Sequence, residues 1–170
     1  CFLHKDHSWR TLEVTAHNLL QDAVVGGIVI NSRDITERKK SEAILRQSEE
    51  KFRLLAENLP GVVYMCENDA EFTFTYTSEA ILDLTGYPKE DFYERRISLS
   101  KMYHPDDVDM INRIVNTAVR DQRPFSLTFR IQHRDGSWRW LSEVGSGVYS
   151  EGKLLYIEGF ISDITELRTA

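Results

Sequence analysis

The phrase His4-Lys5-Asp6-His7-Ser8-Trp9-Arg10 returns as His133-Arg134-Asp135-Gly136-Ser137-Trp138-Arg139. A second phrase, Asp34-Ile35-Thr36-Glu37, returns as Asp163-Ile164-Thr165-Glu166. Both pairs are separated by the same 129 residues, His4 to His133 and Asp34 to Asp163. Two anchors in one register mean that the chain carries the same structural unit twice, and a repeat constrains the fold more than any local propensity does. With 170 residues in all, only the second copy has room for a full unit before its closing phrase.

The second copy gives that unit's layout. Phe125, Leu127, Phe129 and Ile131 alternate with polar residues, which is the period of a half-buried strand. Asp135-Gly136 supplies a tight turn. Trp138 to Tyr149 reads as the next strand, Ser150-Glu151-Gly152 as a turn, and Leu154 to Ser162 as a third strand. Upstream, Val108, Ile111, Ile114, Val115 and Ala118 recur at helical spacing, with Pro105, Asp106 and Asp107 suited to the helix start. Gly61 to Glu67 and Phe72 to Thr77 read as two further strands. Ser78 is placed to cap a short helix that Gly86 closes before Pro88. The order predicts an α+β domain, a five-stranded antiparallel sheet with helices on one face.

Residues 37–59 contain no Gly or Pro and predict a long helix. Leu45, Ser48, Phe52, Leu55 and Leu59 fall at alternating spacings of three and four, a seam for another helix. Two readings stand side by side: a helix lying on its own domain, and a parallel dimeric coiled coil. Residues 1–36 then supply only the last two strands of a first copy. Their apolar positions, Phe2, Leu12, Leu19, Leu20, Val24, Ile28 and Ile30, need cover, and pairing with the same segment of a second chain would provide it.

Bulk properties narrow the function class. The chain is 41% hydrophobic and 28% charged, enough apolar material for a core. A net charge of −6 argues against a nucleic-acid backbone as partner. Two cysteines, Cys1 and Cys66, give no disulfide framework and fit a reducing, cytoplasmic setting. No apolar run reaches membrane-spanning length, and no signal peptide opens the chain. The first residues read as a mid-domain start, as of a piece cut from a longer protein.

The phrases LPGVVYMCEND, YTSEAILDLTGYPKEDF, HPDDVD, RPFSLTFRI, RDGSWRWL and IEGFISDIT, in that order between about Glu49 and Thr165, resemble a PAS domain with its trailing PAC motif. The resemblance implies the PAS fold over residues 58–165, the end of an upstream PAS domain at 1–36, a helical linker at 37–57 and the start of a next linker at 166–170. It implies a sensory input module of a multi-domain bacterial protein, upstream of a histidine kinase or diguanylate (GGDEF) cyclase, acting as a homodimer through its linker helix and N-terminal strands. The alternative reading is a ligand-free PAS unit kept for dimerisation and spacing.

Candidate residues follow. Asp34-Ile35-Thr36-Glu37 and Asp163-Ile164-Thr165-Glu166 each fit a capping box at a helix start. Their recurrence beside Arg10 and Arg139 predicts that Asp163 reaches a partner near Arg139, and Asp163, Ile164, Thr165, Arg139, Asp34 and Thr36 are assigned to signal relay. Tyr64, Cys66, Phe74, Tyr76, Ile111, Ile114, Val115, Phe129 and Trp140 are the residues expected to line a cavity between sheet and long helix, where they either enclose a ligand or form packed core. A covalent flavin is disfavoured because Cys66 lies on a strand before Glu-Asn-Asp, and haem because His104 sits at a helix start and His133 at an exposed turn. His4, Asp6 and His7 do not make a metal site at this spacing. No nucleotide loop or hydrolase motif is present, and no catalytic residue is assigned. The ligand, if one is sensed, is left open.

Overall fold

A computed structural model describes residues 1–21 and 23–169. The chain divides into two compact units, Cys1–Phe52 and from Arg53 onward. The first holds β1 (Phe2–Leu3), β2 (Trp9–Arg10), β3 (Leu12–Leu19) and β4 (Gly27–Asp34); the helix α1 (Thr36–Glu57) begins in it. β1 pairs with β2 and β3 with β4, both antiparallel. The expectation of two strands is therefore corrected: segments of three consecutive strands are present, because β2 and β3 together correspond to one long strand of the second copy. The register repeats rung for rung. Phe2 faces Arg10 as Ile131 faces Arg139, and Ala16 faces Ile30 as Gly145 faces Gly159.

In the first turn His7 takes a φ of 64°, where the second copy has Gly136 at 89°. A histidine tolerates that left-handed geometry less readily than glycine does. Leu12, Val14, Ala16, Ile28 and Ile30 share one face of the β3–β4 ribbon, and most of that face is exposed. Leu19 belongs to the other face, opposite Gly27, since pairing alternates strictly along a strand. α1 ends at Glu57, and the Asn58 side chain donates to the Leu54 carbonyl at 2.7 Å. Leu59 of the expected seam lies past the end, before Pro60, where helix is disfavoured. Leu45 and Leu55 stand exposed on α1.

The second unit contains β5 (Val62–Cys66), β6 (Phe74–Thr77), α2 (Ile81–Thr85), α3 (Lys89–Tyr93), α4 (Val108–Arg120), β7 (Phe125–Gln132), β8 (Trp138–Ser150), β9 (Lys153–Asp163) and α5 (Thr165–Thr169). Its five strands form one antiparallel sheet in the order β6-β5-β9-β8-β7. Gly86, at φ 80°, closes α2 with its N–H on the Leu82 carbonyl, as the sequence predicts. Ser78 does not cap that helix. It is fully buried, and its hydroxyl instead accepts the Val63 N–H at 3.1 Å, pinning the end of β6 to β5. No helix among the described residues is long and apolar enough to cross a membrane.

The core lies between the sheet and α2–α4. Val62, Tyr64 and Cys66 of β5, Phe125, Leu127, Phe129 and Ile131 of β7, and Leu141, Ile157 and Ile161 all face it. One row across the sheet runs Tyr64, Gly159, Gly145, Phe125. The two glycines leave the space in which the two rings lie. A methyl group on Gly159 would sit 2.6 Å from the Tyr64 hydroxyl, and one on Gly145 2.5 Å from the Phe125 ring. Gly159→Ala is expected to destabilise the unit by about 1–3 kcal/mol through overpacking, as measured by urea denaturation.

Candidate functional site

Two places in the second unit carry chemistry, the exit junction and the cavity. The junction is built where β9 runs out. The Asp163 Oδ1 accepts the Thr165 N–H at 2.9 Å and the Thr165 hydroxyl at 2.5 Å. The same hydroxyl accepts the Trp140 N–H at 2.9 Å, and Ile164 N–H donates to the Trp140 carbonyl at 2.8 Å. Arg139 Nη1 lies 3.0 Å from Asp163 Oδ2. Burial raises the Asp163 carboxyl, but the Thr165 hydroxyl and amide and the Arg139 guanidinium outweigh it and hold it below the ordinary value.

The first unit repeats this arrangement at the 129-residue offset. Asp34 Oδ1 accepts from Thr36 N–H at 2.9 Å and its hydroxyl at 2.5 Å. Thr36 Oγ1 accepts Thr11 N–H at 2.8 Å, Ile35 N–H donates to the Thr11 carbonyl at 2.9 Å, and Arg10 lies 3.6 Å from Asp34. All six relay candidates thus sit in two equivalent junctions: Asp34 and Thr36 in the first, beside Arg10, and Arg139, Asp163, Ile164 and Thr165 in the second. The expected capping box is corrected in form. The aspartate closes onto the N–H two residues on, as short Asx side chains do, and the helix begins at the threonine. Glu37 pairs with Lys40 at 3.1 Å.

Trp140 is not a cavity residue. It alternates with Leu141 along β8 and so faces away from the core with Trp138. The guanidinium groups of Arg130 and Arg168 lie over its ring at 5.2 and 4.5 Å from the centroid. Arg130 in turn grips Asp107 at the start of α4 with two side-chain bonds of 2.9 and 2.6 Å, and Asp107 also accepts the Arg130 N–H at 2.9 Å. That hold, with burial working against it, keeps the Asp107 carboxyl below its ordinary value. A continuous set of polar and stacking contacts therefore runs from the cavity-lining helix, through Asp107, Arg130, Trp140 and Arg168, to the exit helix α5.

The cavity between sheet and α4 has a volume of about 20 Å³ to the centres of water-sized bodies, room for roughly one or two heavy atoms. Of the expected lining, Tyr64, Cys66, Phe74, Ile111 and Val115 are there. Three others are not. Tyr76 pairs with Met65 rather than with a core-facing residue, because a bulge between Met65 and Cys66 flips β6 by one position. Ile114 lies beside Arg113 and Pro124, one step around α4. Phe129 is fully buried but lies edge-on behind Tyr103, 5.2 Å between ring centres. His133, expected to be exposed, is largely covered, packing over Gly86.

Glu143 is the residue that the sequence reading missed. It follows Leu141 on the same face of β8, so strand alternation alone could have found it. It is buried, and the Tyr64 hydroxyl donates to its Oε1. Burial pushes its carboxyl up to about 7. Burial also raises the Tyr64, Cys66 and Tyr103 groups. As packed, with Tyr64 stacked on Phe74 at 5.5 Å and Phe74 on Phe92 at 5.4 Å, the cavity does not admit a flavin or haem without side-chain rearrangement.

Thr165→Val removes both hydroxyl bonds and is expected to cost about 1–2 kcal/mol, most of which Thr165→Ser restores; chemical denaturation measures both. At Glu143, the folded chain between pH 4.5 and about 7 retains a proton that the unfolded chain releases. Stability from this group is therefore greatest below pH 4.5, falls as pH rises to 7 and is flat above. Glu143→Gln lacks that loss and is expected to gain about 2–3 kcal/mol on its parent between pH 4.5 and pH 8.

The profile of the PAS fold matches residues 74–161. An uncharacterised protein, y4lL, of Sinorhizobium fredii is 30% identical over 139 residues, 81% of this chain and 16% of that protein. A methyl sulfide methyltransferase-associated sensor of Methanosarcina acetivorans is 29% identical over 111 residues, 64% of this chain and 11% of that protein. The chain thus spans under a fifth of either relative. The N-terminal domain of a diguanylate cyclase with PAS/PAC sensor from Marinobacter aquaeolei superposes with a TM-score of 0.54 at 21% identity, covering 64% of this chain and 98% of that one. The five-stranded antiparallel sheet, the helices on its core face and this match over more than half of the residues agree: the chain belongs to the PAS fold family.

Proposed function

We propose that this chain is a sensory relay module of a longer signalling protein, passing the state of its cavity or of an upstream PAS unit to an output domain such as a histidine kinase or a diguanylate cyclase. The observation that carries the reading is the duplicated junction. The same aspartate, threonine and arginine tie the last strand to its neighbour and to a helix start at Asp34-Thr36 and again at Asp163-Thr165. A contact set used at two successive exits is what a chain of linked input units needs, because each must pass strand movement to the helix that follows. The sensor from Methanosarcina acetivorans supports the same class.

In this reading residues 1–36 end an upstream PAS unit, 37–57 carry its output as a linker, 58–165 form the complete unit with its PAC motif, and 166–170 start the next linker. The exposed leucines of α1 and the exposed β3–β4 face serve a homodimer, and adjacent PAS and output domains are the other partners. The chain itself is not catalytic, and its free thiols Cys1 and Cys66 fit a cytoplasmic location.

The test uses the parent protein, or the chain fused in frame ahead of a diguanylate cyclase or histidine kinase. Asp163→Ala is expected to shift basal output by at least about fivefold, an amount that about 1 kcal/mol of lost coupling would produce, while circular dichroism shows the fold intact. Output unchanged by Asp163→Ala and by Thr165→Val would leave the junction a structural cap and remove the support for relay.

A further inference from the structure

We propose that the cavity of the second unit binds a small protonated amine, ammonium or methylammonium in size, through the carboxylate of Glu143 inside a ring of aromatic side chains. The proposal deepens the sensory reading, and rests on it only for the purpose that binding would serve.

Glu143 is only half satisfied by the protein. Its Oε1 accepts from Tyr64, and among the described residues nothing pairs with its second oxygen. No Lys, Arg or His lines the cavity. Tyr103 lines it as well, and its hydroxyl makes no hydrogen bond among the described residues. Neither oxygen is among the sealed atoms left without a partner, so both open onto space that a small molecule can reach and offer it two polar positions. The walls are the rings of Tyr64, Phe72, Phe74, Tyr103 and Phe125. Aromatic faces attract cations and add to a carboxylate's pull.

Size and charge then select the class. Space of about 20 Å³ holds one or two heavy atoms, which excludes larger amines and nucleobases. An anion would meet Glu143 with like charge. An apolar gas would leave the second oxygen of Glu143 unpaired. Water fits by size but brings no charge to offset an ionised carboxylate. A small ammonium group brings donors for Glu143 and Tyr103 together with that charge.

The site is particular to this copy. At the 129-residue offset Glu143 corresponds to Val14 and Gly159 to Ile30. Gly159 provides the space for the Tyr64 ring that reaches Glu143, since any Cβ there would meet the Tyr64 hydroxyl. The first unit thus keeps the junction and lacks both the carboxylate and the space.

Protonation of Glu143 competes with amine binding. The other ionisable groups that face it are Tyr64 and Cys66 of β5 and Tyr103 ahead of α4; Ile111 and Val115 of α4, Phe125 of β7, and Ile157 and Ile161 of β9 contribute none. All three are pushed upward and stay neutral near pH 7. Methylammonium remains charged across the same range, so the profile reports on Glu143.

The experiment is isothermal titration and thermal shift on the whole 170-residue chain with methylammonium chloride, against ammonium, tetramethylammonium and sodium chlorides at matched ionic strength. Saturable binding of methylammonium or ammonium is expected, strengthening by about an order of magnitude from pH 6 to pH 8. Glu143→Gln keeps shape and the Tyr64 bond, and should weaken binding at least about tenfold; Tyr103→Phe should weaken it several-fold. Circular dichroism verifies each variant's fold. No saturable response, an equal response to sodium or tetramethylammonium, or binding unchanged in a folded Glu143→Gln overturns the proposal and leaves the cavity as a water site. Relay through the junction is read on output and stands or falls separately.

Discussion

A single hydroxyl, that of Thr165, ties the end of the last strand to its neighbour and to the start of the exit helix. It donates to Asp163 at 2.5 Å and accepts from the Trp140 amide at 2.9 Å. Without it the Trp140 N–H on β8 would lose its partner, and the turn at the exit helix would keep only the Thr165 N–H bond to Asp163. Both backbone groups of Trp140 are occupied by the exiting chain, through Thr165 and Ile164. The strand therefore cannot shift without the helix start following. Trp140 brings a second consequence, because its ring carries Arg130 and Arg168. Arg130 is held by Asp107, so the helix packed over the cavity and the helix leaving the domain meet at one side chain.

The two copies separate what is shared from what is particular. At the shared offset the junction keeps its aspartate, threonine and arginine, and the strand register persists at every rung from Phe2 to Asp34. The cavity is not kept: Glu143 and Gly159 have Val14 and Ile30 as counterparts. Trp140 likewise corresponds to Thr11. The repeat thus describes a common strand-to-helix junction with unit-specific contents. The buried Glu143 adds a stability cost near neutral pH that an apolar residue would avoid, as expected of a group kept for its chemistry.

Much of the fold was legible because strand and helix periods are strong signals. The turn at Asp135-Gly136, the helix closed by Gly86 and the five-strand layout all follow from local chemistry. The cavity was less legible, for a definite reason. Period two assigns residues to faces without saying which face is covered, and the bulk of Trp140 pointed to the wrong one; Leu141 and Glu143 are the inward pair on β8. Tyr76 was misplaced by a bulge that no residue type in β6 announces. Ile114 differs from Val115 by one helical step, which spacing alone does not resolve at the edge of an apolar stripe. The junction residues were found by repetition; their bonding, through an Asx turn rather than a capping box, depends on where the helix begins.

If the contacts at Trp140 transmit strain, α4 and α5 are energetically coupled through its ring. A double-mutant cycle between Asp107→Asn and Thr165→Val, measured by urea denaturation, tests it most directly. The two side chains share no bond, so independent sites would give effects that add to within about 0.3–0.5 kcal/mol. Coupling through Trp140 gives an interaction energy above about 0.5 kcal/mol that disappears when Trp140 is replaced by Leu. Additive effects in the presence of Trp140 would contradict it, and would leave the duplicated junction as a local helix start with no link to the cavity.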